Sequence, residues 1–151
     1  MIPIYIILVN YNGYNDTIEC INSIKKIKNI NYKIIVVDNA STDNSVHLFR
    51  KNEVCKDCII IESKSNLGFA GGNNLGIQLA LDNGARYILL INNDTLVNPN
   101  FLYYMVTTFE RDEKIGVVGC KINYYPETNK IWFGGGYINW FKFLGEHIGM
   151  R

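Results

Sequence analysis

The stretch Lys33-Ile34-Ile35-Val36-Val37-Asp38-Asn39-Ala40-Ser41-Thr42-Asp43 decides the fold. Its first half is an unbroken apolar run rich in β-branched residues. Such a run reads as a strand buried on both faces, and strands of that kind belong to parallel sheets covered by helices. Its second half is a carboxylate followed by small polar residues, which is turn chemistry. The same form recurs outward in both directions. Runs at 4–9, 58–62, 87–91 and 117–122 read as further strands, and amphipathic stretches lie between them. Residues 16–28 put Ile18, Ile21, Ile24 and Ile27 on one helical face, with Asp16 and Glu19 at capping-box spacing. Residues 42–51 form a shorter candidate helix. Residues 73–83 carry Leu75, Leu79 and Ala80, with Gly84 placed as a C-terminal cap. Asn98 is placed to cap a fourth helix, with Pro99 in its first turn and Phe101, Met105 and Phe109 facing inward. Strand, helix and strand in alternation predict an α/β fold, a mostly parallel sheet with helices on both faces. Such sheets bind ligands beyond the carboxyl ends of their strands. After Ile122, Pro126, Gly134-Gly135-Gly136 and many aromatics predict loops and short strands.

Composition agrees with a globular domain and excludes several classes. The chain has 151 residues, 48% apolar and 19% charged, too apolar for a disordered segment. Fifteen Lys and Arg against 14 Asp and Glu leave a net charge of +1, without long-range pull on nucleic acid. No apolar run approaches the ~20 residues of a membrane span. The apolar run at 2–9 lacks a basic leader and a small-residue cleavage site, so it reads as a strand and not a signal peptide. The expected location is cytoplasmic, with peripheral association at the inner face of the membrane as an option. Cysteines stand at 20, 55, 58 and 120, and only Cys55-Lys56-Asp57-Cys58 has a suggestive spacing. A structural zinc site needs a second such pair, which is missing. A redox pair is expected after a strand, whereas this one precedes a strand, so packing or solvent-facing thiols are the plainer reading. His47 and His147 are far apart, and His47 reads as a surface residue.

The loops after the strands carry the chemistry. They read Val9-Asn10-Tyr11-Asn12-Gly13, then Asp38-Asn39-Ala40-Ser41-Thr42-Asp43, then Asn66-Leu67-Gly68-Phe69-Ala70-Gly71-Gly72-Asn73-Asn74, then Ile91-Asn92-Asn93-Asp94-Thr95. Taken singly, Asp38 and Ser41 suit a helix cap, the glycines a tight turn, and Asp94 a turn before Pro99. Together on one sheet edge they suit a nucleoside diphosphate. An Asp at a strand end accepts a hydrogen bond from a base imide or ribose hydroxyl. Glycines beside a helix N-terminus admit a diphosphate, and a carboxylate after the fourth strand suits a hard divalent cation. The dinucleotide fingerprint is absent after the first strand, Ile77 stands where a phosphate-binding P-loop needs Lys, and no G-x-S-x-G elbow occurs.

The four motifs, in this order and spacing over most of residues 1–125, resemble glycosyltransferase family 2, closest to its rhamnosyltransferase-like branch. The resemblance implies a GT-A fold, a Rossmann-like α/β domain. It also implies inverting, metal-assisted transfer of a sugar from a nucleotide-diphosphate donor to an acceptor hydroxyl. By that resemblance Asn10 and Tyr11 line the nucleoside pocket and Asp38 contacts the base. Asn66, Gly68, Gly71 and Gly72 belong to a loop closing over nucleoside and diphosphate. Asn92-Asn93-Asp94 takes the place of the family's D-x-D motif. Asn92 replaces the first carboxylate, which leaves Asp94 as the anionic ligand of a Mg²⁺ or Mn²⁺ ion and implies a weaker metal site. The implied donor is a UDP- or dTDP-linked sugar, with dTDP-rhamnose suggested by the branch. The implied acceptor is a glycan or lipid-linked hydroxyl.

The acceptor half is less legible. Residues 1–95 hold the nucleotide motifs, and 96–151 read as the start of an acceptor-facing half in a single domain that looks cut short. Transfer needs a general base near the acceptor hydroxyl. After Glu113 the only carboxylates are Glu127 and Glu146, neither in a family-like acid pair, so the base is expected beyond Arg151. Trp132 and Gly134-Gly135-Gly136 suit either the sugar's flank or a tight turn. The competing readings are a non-catalytic nucleotide-sugar binding module and a sugar nucleotidyltransferase. The latter usually carries a basic glycine-rich loop after the first strand, absent here.

Overall fold

The computed structural model describes residues 4–147. These fall into two compact units, meeting in the chain between Pro99 and Asn100. The first unit is a four-stranded parallel sheet in the order β3-β2-β1-β4, formed by β1 (Ile4–Asn10), β2 (Tyr32–Asp38), β3 (Cys58–Glu62) and β4 (Tyr87–Asn92). Helices α1 (Tyr14–Ile24), α2 (Ser45–Lys51) and α3 (Gly68–Asp82) form the crossovers.

The apolar runs become strands because both faces are covered. On one face Tyr5, Ile7, Ile35 and Val37 pack with Ala80 of α3, and Val9, Ile59, Ile61, Leu75 and Ile88 extend the cluster. Alternate residues Ile6, Leu8, Ile34 and Val36 point the other way and are equally buried. On that side α1 supplies Cys20, Ile21 and Ile24, and α2 supplies Phe49. Each fully buried Ile or Leu contributes about 1.5–3 kcal/mol, so the central strands β1 and β2 anchor the unit.

Helix boundaries depart from the sequence expectations. Helix α3 starts at Gly68, not Asn73, so the glycines expected in a loop form its first turns. The reason is tertiary. A Cβ at Gly72 would lie 2.8 Å from Val9 Cγ1, and one at Gly76 would lie 2.6 Å from Ile7 Cγ2. With Ala80 these make a small-residue stripe on which α3 lies close against β1, and packing overrides glycine's poor helix propensity. Gly84 takes φ +75 just past the helix end, the expected cap. Helix α1 starts at Tyr14 with Gly13 as N-cap and no side-chain cap bond, so the capping box does not form. The helix also ends at Ile24, short of Lys28. Helix α2 starts at Ser45, because Asn44 is left-handed (φ 66) and the Asp43 carboxylate instead takes the Ser45 N–H at 3.1 Å.

The second unit holds α4 (Phe101–Phe109) and two small antiparallel pairs. These are β5 (Ile122–Asn123) with β6 (Ile131–Phe133), and β7 (Gly136–Asn139) with β8 (Leu144–His147). The N-cap of α4 is Asn100, not Asn98; Leu102 is its fully buried residue, and Phe101, Met105 and Phe109 are half-buried. The strand expected at 117–122 is reduced to Ile122. Gly116 and Gly119 give that stretch no side chain to pack, and Val117 is exposed. The short strands expected after Ile122 are present.

Candidate functional site

Parallel register sets the site. Asn10 pairs with Asp38 across β1 and β2, Val9 with Asn92 across β1 and β4, and Asp38 with Glu62 across β2 and β3. All four motif loops therefore leave the same edge of the sheet.

At the centre of that edge is a buried polar cluster. Asn10 is 0% exposed and Asp38 1%. The Asn10 amide donates to Asp38 Oδ2 at 2.8 Å and to Ser41 Oγ at 3.0 Å. Its oxygen accepts from the Thr17 hydroxyl at 2.9 Å. The second carboxylate oxygen of Asp38 accepts the Ser41 N–H at 2.9 Å. Thr17 in turn accepts from the Asn93 amide at 2.9 Å, which ties the β4 turn to the first turn of α1. A buried carboxylate is tolerated only when such donors replace water. Asp38 and Ser41 do not cap α2. They shape the loop that precedes it.

Around this core two loops are clamped. Asn12, left-handed at φ 54, takes the Ser41 hydroxyl as acceptor for its N–H at 2.9 Å, and its side chain accepts the Thr42 N–H at 2.7 Å. Asn39 is buried and donates to Asn66 Oδ1 at 2.9 Å and to the Gly68 carbonyl at 3.1 Å, while accepting the Leu67 N–H at 3.0 Å. Asn66 also accepts the Gly68 N–H at 2.9 Å. Gly68 requires φ +69, a backbone that disfavours side chains. A Cβ at Gly71 would meet Leu67 Cβ at 2.6 Å.

Facing solvent at the same edge are Tyr11 (51% exposed), Asn66, Phe69, Asn92 and Asp94. Asp94 stands in the turn after β4, above Cys20. The Cys20 thiol is buried and lies 3.7 Å from the Asn92 carbonyl. Burial pushes its pKa from the ordinary 9.0 up to about 12, the Thr95 backbone N–H opposing and the Asp94 charge adding. No group of three His, Cys, Asp or Glu side chains poised for a metal occurs among the described residues. The donor set Asp94 with the Asn92 amide fits a Mg²⁺-like ion only when substrate phosphates complete the shell, which is how such ions are commonly held.

The two late carboxylates are both engaged. Glu127 pairs with Lys130. Glu146 accepts from the Tyr137 hydroxyl and from the Asn139 amide at 3.0 Å, with Lys142 at 3.8 Å. The Tyr137 hydrogen bond, then that of Asn139, holds the Glu146 carboxyl below the usual carboxylate range.

Sequence reasoning singled out Asn10, Tyr11, Asp38, Asn66, Asn92 and Asp94, and the structure brings them to one edge. It missed Thr17, Asn39 and Asn93 as cluster members. Asn39 and Asn93 lie inside the quoted motifs, but nothing short of the register shows which motif asparagines point inward. Thr17 carries no sequence signal of its own.

Comparison with known proteins gives a consistent picture. The model for "Glycosyl transferase family 2" matches residues 5–150. Poly-beta-1,6-N-acetyl-D-glucosamine synthase of Staphylococcus aureus is 32% identical over 113 residues, which cover 74% of this chain and 26% of that protein. The chain thus spans about a quarter of the length of that curated relative. Among solved structures, S. aureus TarS in complex with UDP-GlcNAc superposes with a TM-score of 0.64 at 18% identity, covering 83% of this chain and 39% of TarS. The mannosyltransferase PcManGT from Pyrobaculum calidifontis, in complex with GDP-Man and Mn²⁺, gives 0.65 at 20% identity, covering 80% and 35%. At these identities the structural likeness shows the fold.

Proposed function

This chain belongs to glycosyltransferase family 2, and from that premise we propose that it forms the donor-binding part of an inverting glycosyltransferase acting on a nucleotide-diphosphate sugar. The observation that carries the reading is the buried Asn10–Asp38–Ser41 cluster at the carboxyl edge of a parallel sheet, flanked by exposed Tyr11, Asn66 and Asp94. The roles divide by burial. Asn10 and Asp38 are positioning residues that fix the loop at residues 39–43, and Asp38 presents its remaining lone-pair capacity to a base imide. Tyr11 stacks on the nucleoside. Asn66 and the first turn of α3 flank the diphosphate, where a helix N-terminus favours negative charge. Asp94, with Asn92, holds a Mg²⁺ or Mn²⁺ ion that, when bound, supplies charge neutralisation at the departing diphosphate.

The donor we propose is UDP-linked, with N-acetylglucosamine as the first sugar to test. S. aureus TarS holds UDP-GlcNAc on this fold and the S. aureus relative is named for that sugar. dTDP-rhamnose is the second, suggested by the motif branch. The acceptor is a glycan or lipid-linked hydroxyl, reached at the inner face of the membrane, and no described helix is long and apolar enough to cross one. We place the general base on neither Glu127 nor Glu146, because Glu127 is paired with Lys130 and Glu146 is held by the Tyr137 hydroxyl. That engagement also favours a second reading for the 151 residues alone, binding without transfer.

Thermal unfolding with UDP-GlcNAc, dTDP-rhamnose and GDP-mannose, each with and without Mn²⁺, tests this. A true donor at a hundredfold its Kd adds about 2.7 kcal/mol. The expected result is stabilisation by a pyrimidine donor, increased by Mn²⁺. No shift with any nucleotide sugar would overturn the donor reading, and sugar transfer by the isolated chain would overturn the placement of the base.

A further inference from the structure

We propose that Asn93 and Thr17 are positioning residues of the donor site, links in a buried hydrogen-bond line that fixes the Asp94 turn against the nucleoside loop behind Asp38. The inference rests on the donor reading above and adds to it two residues that touch neither metal nor nucleotide. In Asn92-Asn93-Asp94 the outer two residues are exposed, and the side chain of the middle one turns back into the protein.

The line runs from the turn after β4 across α1 to β1 and β2. The Asn93 amide donates to Thr17 Oγ1 at 2.9 Å. The Thr17 hydroxyl has one proton to give, and Asn10 Oδ1 and the Gly13 carbonyl each lie 2.9 Å from it. The Asn10 amide then donates to Asp38 Oδ2 at 2.8 Å. Thr17, Asn10 and Asp38 are all buried, so water does not compete for these groups and each bond is stronger than it is in water. Gly13 supplies the clearance. A Cβ there would lie 2.9 Å from the Asn93 amide nitrogen and 3.5 Å from Asn10 Oδ1. The glycine has φ −132, outside the left-handed region, so the position needs its lack of a side chain and not its backbone freedom.

Helix α1 grips the same turn at two further points. The Cys20 thiol lies 3.7 Å from the Asn92 carbonyl, and Ser23 Oγ accepts the Val97 N–H at 3.2 Å. Thr17, Cys20 and Ser23 recur every three residues, so one face of the helix holds residues 92–97. Of these anchors only Asn93 to Thr17 continues to Asn10 and Asp38. A nucleoside diphosphate spans from base to metal, so its binding needs both ends of the site held at one separation. A turn already held does not have to be ordered when ion and nucleotide arrive. The line therefore divides the effects of breaking it. A break at Asn93 releases the metal end alone. A break at Thr17 releases both ends, because Asn10 loses its partner as well.

The test is calorimetric titration of the 151-residue chain with UDP, with and without Mn²⁺, and with UMP in EDTA, which reads the nucleoside end without metal. Asn93→Leu removes the amide at similar shape. Gly13→Ala pushes the amide off Thr17 while leaving Asn93 itself in place. Both should weaken UDP binding in Mn²⁺ roughly tenfold, removing most of the metal enhancement, and leave UMP affinity within about twofold. Thr17→Val should weaken both, and Thr17→Ser, which keeps the hydroxyl, should restore both. Asn93→Leu combined with Thr17→Val should reduce the Mn²⁺ enhancement no further than the worse single change, because the two remove one bond. Circular dichroism melts establish that the variants fold, and Gly13→Ala decides the metal end if Asn93→Leu does not fold. The proposal is overturned, with the donor reading left in place, by an unchanged Mn²⁺ enhancement in folded Asn93→Leu or Gly13→Ala. UMP affinity that falls in step with the enhancement in those variants, failure of Thr17→Ser to restore, or additive losses in the double variant would overturn it equally. An unmutated chain that binds no UDP, or binds it without help from Mn²⁺, would overturn the donor reading itself and this proposal with it.

Discussion

Replacing Asn10 by Asp changes the amide for a carboxyl of the same shape, so it opens no cavity and isolates the electrostatics of the cluster. The amide nitrogen of Asn10 lies 2.8 Å from Asp38 Oδ2, and both residues are buried. A second carboxylate at that distance cannot ionise beside the first, so the introduced carboxyl keeps its proton in the folded state. In the unfolded chain it ionises with a pKa near 3.9. Holding a proton about three pH units above that value costs about 4 kcal/mol at pH 7, at 1.36 kcal/mol per unit. The group's folded pKa is raised, so its cost grows as pH rises through the unfolded value, and by the same arithmetic it falls to about 1.5 kcal/mol at pH 5. Urea unfolding at the two pH values, followed by circular dichroism, measures the difference against the unmutated chain. A destabilisation that is the same at both, or that stays under about 1 kcal/mol at pH 7, would show that water reaches the pair and that Asn10 does not hold Asp38 in place.

Two further outcomes are expected. Asp94→Ala should leave ligand-free stability within about 1 kcal/mol, since the residue is an exposed turn residue, and should abolish the Mn²⁺-dependent part of nucleotide stabilisation in calorimetric titration. Retained metal dependence would misplace the ion. Stability should also fall as pH rises above about 9, because the unfolded Cys20 thiol ionises there while the folded one resists to about 12. The slope it contributes is at most about 1.4 kcal/mol per unit, and Cys20→Ala should flatten it. An unchanged slope would mean that the thiol is not buried as described.

The local chemistry of the chain was enough to determine the sheet and its edge. Continuous β-branched runs cannot be satisfied half in water, so Ile4–Asn10 and Tyr32–Asp38 had to be interior strands. The alternation with amphipathic stretches then made them parallel and put every motif loop at their carboxyl ends. Three things needed tertiary structure. The extent of α3 did, because glycine's propensity argues against a helix from Gly68 until Val9 and Ile7 are seen occupying the space that larger side chains would need. The stretch around Val117 did, because an apolar run becomes a strand only where a neighbouring strand accepts its backbone groups. The inward set of asparagines did as well. Asn10 and Asn39 are buried while Asn12 and Asn66 are exposed, a distinction set by strand register and loop twist across residues nearly thirty positions apart. Composition says only that the amides are present. Which of them hold the buried carboxylate and which face the solvent is decided by the pairing of β1 with β2.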